Sequence, residues 1–347
     1  MALVHNAAPA ARINQHLTHI SVTRLTFVIF IVLATSTFLP AQKYTAADGR
    51  LRVALVKQPF SPTGTSVGPN TMASGGIQQI LAGMNSVLRV QEVKLTPAEL
   101  TEYGAWQKLG WALGHFSDIV AQNERDGYFT VGLLATCPSM PGLVAGLQRS
   151  GTNATPLRIG MLWLDAHPDF NTPETTRSGS LGGMPLAVAT GRALQRMRIE
   201  AHLDPPLADQ DIVMGGVRLV DPLEQELLNK SKIEQLSVED LRNMTPAVFS
   251  QLDRLSKQTD KIYIHIDMDV LDPREVMGHV NKVPNGPSSE QLARLFEEIF
   301  KRYPKASAIG FATIPPTDED GLSIAALNRM ITGAIKGLRA RSLDVRR

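Results

Sequence analysis

From residue 51 onward the chain repeats one pattern, a short apolar run, then a polar loop, then a helical stretch. The apolar runs are LRVALV (51–56), VLRVQEVKL (87–95), YFTVGLLA (128–135), LRIGMLWLD (157–165), DIVMGGV (211–217), KIYIHIDMD (261–269) and KASAIGFA (305–312). The residues between them predict helices over 73–84, 96–124, 140–149, 184–195, 221–230, 288–302 and 323–338. At 96–124 the start signal is a Thr-Pro pair with Glu99 in the first turn. Near-continuous apolar strands alternating with helices indicate an α/β fold, a parallel sheet covered on both faces. No internal repeat and no Pro/Ser-rich linker interrupts this pattern, so residues 50–347 read as one domain. In such sheets ligands bind at the carboxyl ends of the strands. The loops after residues 135, 164, 217 and 266 are therefore where chemistry is expected.

Composition narrows the function classes. The 347 residues are 43% hydrophobic and 20% charged, ordinary proportions for a globular protein with a large core. The net charge of +2, with no basic block beyond the terminal RARSLDVRR, argues against a nucleic-acid partner. Cys137 is the only cysteine, which excludes an intrachain disulfide and a Cys-x-x-Cys metal knuckle. Residues 1–49 form an N-terminal extension of different character. Its uncharged run LTFVIFIVLATSTFL (25–39) follows Arg24. The run is shorter than the roughly 20 residues of a membrane span but long enough for a signal-peptide core. Export, or an uncleaved anchor in contact with a membrane, is the expectation. A misassigned start or a buried segment, with a cytoplasmic protein, is the alternative.

Two motifs carry the chemistry. In WLDAHPDF, Asp165, His167 and Asp169 stand at alternate positions, so on an extended segment they share one side. Two carboxylates and an imidazole suit a divalent cation such as Mn²⁺, Fe²⁺ or Zn²⁺. For this motif alone the lesser alternative is a hydrogen-bonded loop at a strand end. In YIHIDMDVLDP, His265, Asp267 and Asp269 alternate in the same way, with Ile264, Ile266 and Met268 on the other face. Three such groups on a buried strand are costly unless a cation or a partner neutralises them. Two clusters at neighbouring strand ends favour a site for two metal ions.

These motifs, taken together, resemble those of the ureohydrolase (arginase/agmatinase) superfamily over most of residues 51–340. DAHPDFNTPETTRSG (165–179) is similar to its Asp-Ala-His-x-Asp-x-Asn-Thr-Pro motif, and IHIDMDVLDP to its second aspartate motif. Gly68-Pro69 looks like its early Gly-Pro signature, and VRLVDPLE (217–224) like its substrate-side loop. The resemblance implies a three-layer α/β/α domain with a mostly parallel sheet and a homotrimer or homohexamer. It also implies two Mn²⁺ ions and a metal-bridging hydroxide that attacks a guanidinium or amidine carbon. By matched position, Asp165 and Asp267 would bridge the ions. Asp169 would complete one site, His167 and Asp269 the other. Asp165, His167 and Asp267 would thus serve catalysis through the metal-bound hydroxide. Asp221 and Glu224 match positions at the substrate's α-amino end, and Asn171 and Ser178 positions near its α-carboxylate.

Three departures bear on activity. Cys137, in LLATCPSMPG, stands where the family has its first metal histidine. A thiolate there would favour Zn²⁺ or Fe²⁺ over Mn²⁺, while a small buried residue is the equal alternative. His265 could replace the missing ligand or hydrogen-bond behind it. Gly182, in SGSLGGMP, replaces a family histidine, and Ala312, in ATIPPTD, replaces the glutamate that grips the guanidinium. Asp318 and Glu319 are the nearest acids in sequence to that lost carboxylate. The expectation is a metal-dependent hydrolase of non-peptide C–N bonds in a small guanidino or amidino compound, other than ordinary arginase. The alternative is a catalytically silent binding or regulatory protein of the same fold. A dinucleotide-binding fold is disfavoured, since no strand leads into Gly-x-Gly-x-x-Gly. His115, at helical spacing, reads as structural; His279, in the loop MGHVNKVPNGP, lies in sequence just past the second motif.

Overall fold

The structure, a computed structural model, describes residues 43–63, 69–315 and 318–344, the side chains of 69–75 and 344 excepted. The apolar segment 25–39 and Gly68 of the Gly-Pro signature lie outside the described residues. Eight strands form one sheet: β1 (Leu51–Gln58), β2 (Ser86–Glu92), β3 (Phe129–Leu134), β4 (Ile159–Leu164), β5 (Ile212–Gly215), β6 (Glu234–Leu236), β7 (Lys261–Asp267) and β8 (Ala306–Ala312). Their order is β2-β1-β3-β8-β7-β4-β5-β6, and every neighbouring pair is parallel. The helices are α1 (Pro69–Gly83), α2 (Pro97–Leu100), α3 (Ala105–Arg125), α4 (Met140–Gln148), α5 (Pro185–Ala189), α6 (Gln195–Glu200), α7 (Pro222–Lys230), α8 (Val238–Asn243), α9 (Pro246–Gln258), α10 (Ser289–Arg302) and α11 (Leu322–Asp344).

Two apolar cores flank the sheet. α1 and α8 to α11 bury side chains in one, and α3 to α7 in the other. The three-layer α/β/α expectation holds. Strand pleating decides which residue meets which core. Ile262, Ile264 and Ile266 of β7 enter the first core, and Tyr263 the second. His265 and Asp267 therefore share the Tyr263 side, the side of α4. Register places His265 between Trp163 of β4 and Gly310 of β8, and Asp267 beside Ala312.

Three segments differ from the sequence reading. The helix expected over 96–124 is two. Thr96 and Glu99 close a capping box around the single turn of α2. The Thr101 hydroxyl then donates to the Ala98 carbonyl, and Gly104 caps α3. The break falls at Gly104, which is extended (φ −72°, ψ 99°) as the N-cap of α3. His115 of α3 lies 2.9 Å from Glu99, which joins the two pieces in the structural role expected of it. The helix expected over 184–195 stops at Ala189, because Gly191 and Leu194 turn left-handed (φ 79° and 46°) before α6 begins. Between 231 and 260, β6, α8 and α9 carry no long apolar run, so strand periodicity alone missed them.

Candidate metal centre

Four segments converge at the carboxyl edge of the sheet. The end of β3 brings Thr136 and Cys137, and the end of β4 brings Asp165, His167 and Asp169. The end of β7 brings Asp267 and Asp269, and the loop before α10 brings His279. Three overlapping groups have ligand atoms all within 4.8 Å of one another: Cys137, Asp165 and Asp267; Asp165, His167 and Asp269; Asp267, Asp269 and His279. Asp165, Asp267 and Asp269 each belong to two groups. Asp169 lines the same cavity but falls outside all three.

Backbone geometry explains the convergence, and it differs from simple alternation. β4 ends at Leu164, and Asp169 is left-handed (φ 50°), so a turn rather than a strand face gathers Asp165, His167 and Asp169. In the second motif His265 and Asp267 do share a strand face, but Asp269 is delivered by a 3₁₀ turn over 268–270. Backbone N–H groups orient the carboxylates. His167 donates to Asp165 Oδ1 at 2.7 Å, Asp269 to Asp267 Oδ1 at 2.8 Å, and Ala166 to Asp269 Oδ1 at 3.1 Å. Asp165 Oδ2, on a residue 1% exposed, has no hydrogen-bond partner among the described residues. His167 Nδ1 lies 3.1 Å from Asp269, and His279 Nε2 3.6 Å from Asp267. Asn281 donates its backbone N–H to His279 Nδ1, which turns Nε2 to the carboxylates.

The protonation equilibria reflect this crowding. Burial first, then the charges of neighbouring carboxylates, raise Asp165 and Asp169 well above the usual carboxylate range. Burial opposes a charged His167, but the hydrogen bond and charge of Asp269 outweigh it and raise its pKa. Burial likewise opposes a charged His279 and is outweighed by Asp267, which raises His279. Burial would raise Asp267 as well, but the His279 pair holds it well down. Burial pushes the Cys137 thiol up.

A cavity of about 550 Å³ opens above these groups. Asn171, Ser178, Asp221 and Glu224 all line it, as do Gly182, Asn281 and Thr313. Asn171 Nδ2 donates to Asp221 at 3.3 Å, and Ser178 sits at the exposed rim. Glu224 is turned inward: its oxygens accept the backbone N–H groups of Phe170 and Asp221, so it fixes the loop that follows the first motif. A family model for the Arginase family matches residues 139–334, more than half of the chain.

The chain belongs to the arginase family.

Curated relatives include the arginase of Entamoeba histolytica, 34% identical over 163 residues, 46% of this chain and 53% of that protein. The arginase of Bacillus caldovelox is 27% identical over 182 residues, 52% of this chain and 60% of that protein. The matches thus span little more than half the length of these relatives. Among solved structures, Bacillus subtilis arginase aligns with a TM-score of 0.70 at 20% identity, over 82% of this chain and 98% of that one. Bacillus subtilis formimidoylglutamase aligns at 0.63 and 16%, over 89% and 96%. These likenesses show the fold.

In this arginase-family protein the donor set fits divalent ions. Four buried carboxylates, two imidazoles and a thiol face one another, an oxygen is left unpartnered, and no described lysine or arginine lines the cavity. Arg218, a half-buried cation just after β5, is held by backbone carbonyls. Its guanidinium donates to the carbonyls of Gly216, Asp269, Val283 and Pro284. The departures are equally plain. Gly182 lines the cavity without an imidazole, and Ala312 is buried beside Asp267. Asp318 does not replace the missing carboxylate, since its oxygens cap α11 at Ser323 and Ile324, and Glu319 is exposed away from the lining. His265 is in no ligand group; it sits behind Cys137. His279 joins a candidate ligand group that the two sequence motifs did not include. Its position in a Gly/Pro-rich loop directly after the second motif was the available signal.

Proposed function

We propose that the chain is a metal-dependent hydrolase of non-peptide C–N bonds in a guanidino or amidino compound, with a substrate other than arginine. The observation that carries this reading is the set of interlocking ligand groups at the floor of the cavity. Asp165 and Asp267 would each contact two ions, Asp169 would complete one position, and His167 and Asp269 the other. The ions would be two Mn²⁺, or Fe²⁺ or Zn²⁺ given Cys137. Bound divalent ions supply Lewis acidity and lower the pKa of water towards neutrality.

The chain's own residues orient the substrate and exclude solvent. Asn171 and Asp221, joined by their hydrogen bond, present one amide and one carboxylate to an incoming polar tail. Glu224 holds Phe170 and Asp221 in place beneath them. The β8 wall, Ala312 and Thr313, is uncharged. A guanidinium there forgoes a buried charge pair of about 2–5 kcal/mol, which weakens the hold on any guanidinium, that of arginine included.

The test is a screen of metal-loaded protein against guanidino and amidino compounds, read as release of urea, ammonia or an amide. Turnover that Asp267→Asn abolishes is the expected result. The second reading, a silent binding protein, is favoured by the losses at Gly182 and Ala312. Ion binding with no turnover on any compound would decide for it.

A further inference from the structure

Cys137 lies between two kinds of neighbour. On one side its Sγ is 2.9 Å from Asp267 Oδ2 and grouped with Asp165. On the other it is 3.2 Å from His265 Nε2. The opposite ring nitrogen, Nδ1, is 2.9 Å from the Tyr263 hydroxyl. A buried phenol needs an acceptor for its proton, and His265 Nδ1 is the partner the structure gives it. With Nδ1 accepting, a neutral imidazole carries its proton on Nε2 and aims it at the sulfur. Stacking on Trp163, at 4.0 Å with 12° between planes, holds the plane of the ring. Glycine at 310 makes room for this arrangement: a Cβ there would come within 2.3 Å of the Tyr263 hydroxyl.

A neutral thiol accepts hydrogen bonds weakly and a thiolate strongly. A buried, oriented N–H donor aimed at sulfur is therefore suited to a thiolate. A second observation points to what balances that charge. Asp165, whose Oδ2 is buried without a partner among the described residues, belongs to the same group as the sulfur.

We infer that Cys137 ligates one of the two ions as a thiolate, with His265 donating its Nε2–H to the sulfur, and that this position takes Zn²⁺, Co²⁺ or Fe²⁺ in preference to Mn²⁺. The inference rests on the metal-centre reading above and deepens it by making the two positions chemically unequal. On binding, the S–H bond breaks, its proton leaves to solvent, and a metal–sulfur bond forms with no change of oxidation state. The Asp267 oxygen that accepted the S–H is freed for the ion. The same tautomer argues against a metal-free Cys–His nucleophile. An imidazole that already holds its proton on Nε2 cannot take the one on the thiol.

The experiment loads metal-stripped, full-length protein with Co²⁺ and records its absorption spectrum and bound cobalt together. Thiolate ligation produces a near-ultraviolet charge-transfer band. The expected result is that band in the wild type and its loss, with cobalt still bound, in Cys137→Ser. Zn²⁺ affinity should fall about 10–100-fold in His265→Phe, which keeps a ring beside Trp163 and lacks the N–H donor, the range for removing a ligand's hydrogen-bond partner. Zn²⁺ should also protect the thiol, the chain's only one, from alkylation. Cobalt bound to the wild type without the band overturns the inference and leaves the centre standing. No cobalt bound at all overturns the metal reading itself. If Cys137→Ser does not fold, the wild-type band and the alkylation result decide.

Discussion

At the scale of single residues, the metal-free site is built against its own stability. Asp165 is buried among Asp169, Asp267 and Asp269, and one of its oxygens has no described partner. Burial and those charges raise its pKa above the unfolded value. Its favourable contribution is therefore present at low pH, where it is neutral, and is lost as pH rises through the folded pKa. An asparagine of the same shape stays neutral and can donate to the surrounding carboxylates. Metal-free Asp165→Asn should be more stable than metal-free wild type by about 1–3 kcal/mol at pH 8, the penalty of an unmade buried contact. The gain should shrink towards pH 4. Urea unfolding of chelator-treated protein at the two pH values checks this, and a less stable variant at both would contradict it. With ions present the order should reverse.

At the scale of elements, the site depends on loops being pinned as much as on strands being aligned. Arg218, just after β5, ties the loop that carries His279 to the 3₁₀ turn that carries Asp269, through carbonyls at 2.8–3.0 Å. Gly286 lets that loop close, since a Cβ there would meet the Val270 carbonyl oxygen at 2.3 Å. Arg218→Ala should lower metal affinity about 10–100-fold while far-UV circular dichroism stays native, because it removes support and no ligand. Competition against a chromophoric chelator measures the affinity; an unchanged value would show that the staple does not hold the site.

The same scale separates what was legible in the residues from what was not. The strands were legible because β3, β4, β7 and β8 are buried along their whole length and so read as mostly apolar runs, with Lys261, His265 and Asp267 the polar positions of β7. The short edge strand β6, with two of its three residues exposed, left no such trace. Breaks at Gly104 and Gly191 were written in the residues, yet periodicity across them outweighed the glycines. In the site, alternation anticipated that the aspartates would converge, but for a partly wrong reason. Asp269 and the first motif converge through turns, which spacing does not reveal. His279 comes from a loop whose path depends on Arg218 and Gly286, and such long-range support has no local signature.

At the scale of the molecule, ion binding and folding are linked. A ligand that binds only the native state stabilises it by about 2.7 kcal/mol at one hundred times its dissociation constant. Chelation should therefore lower the Tm, and adding back Mn²⁺, Co²⁺ or Zn²⁺ should restore it with a concentration dependence. A Tm indifferent to both would count against a resident cation. The four buried carboxylates are otherwise a liability that the sheet edge carries without return.

If these carboxylates hold a two-ion centre, metal content per chain, measured by plasma mass spectrometry after loading and dialysis, should be about two ions in the wild type. Both positions should empty in Asp267→Ala, since that residue belongs to two ligand groups. An empty wild type, or an Asp267→Ala variant that keeps its full complement, would contradict it.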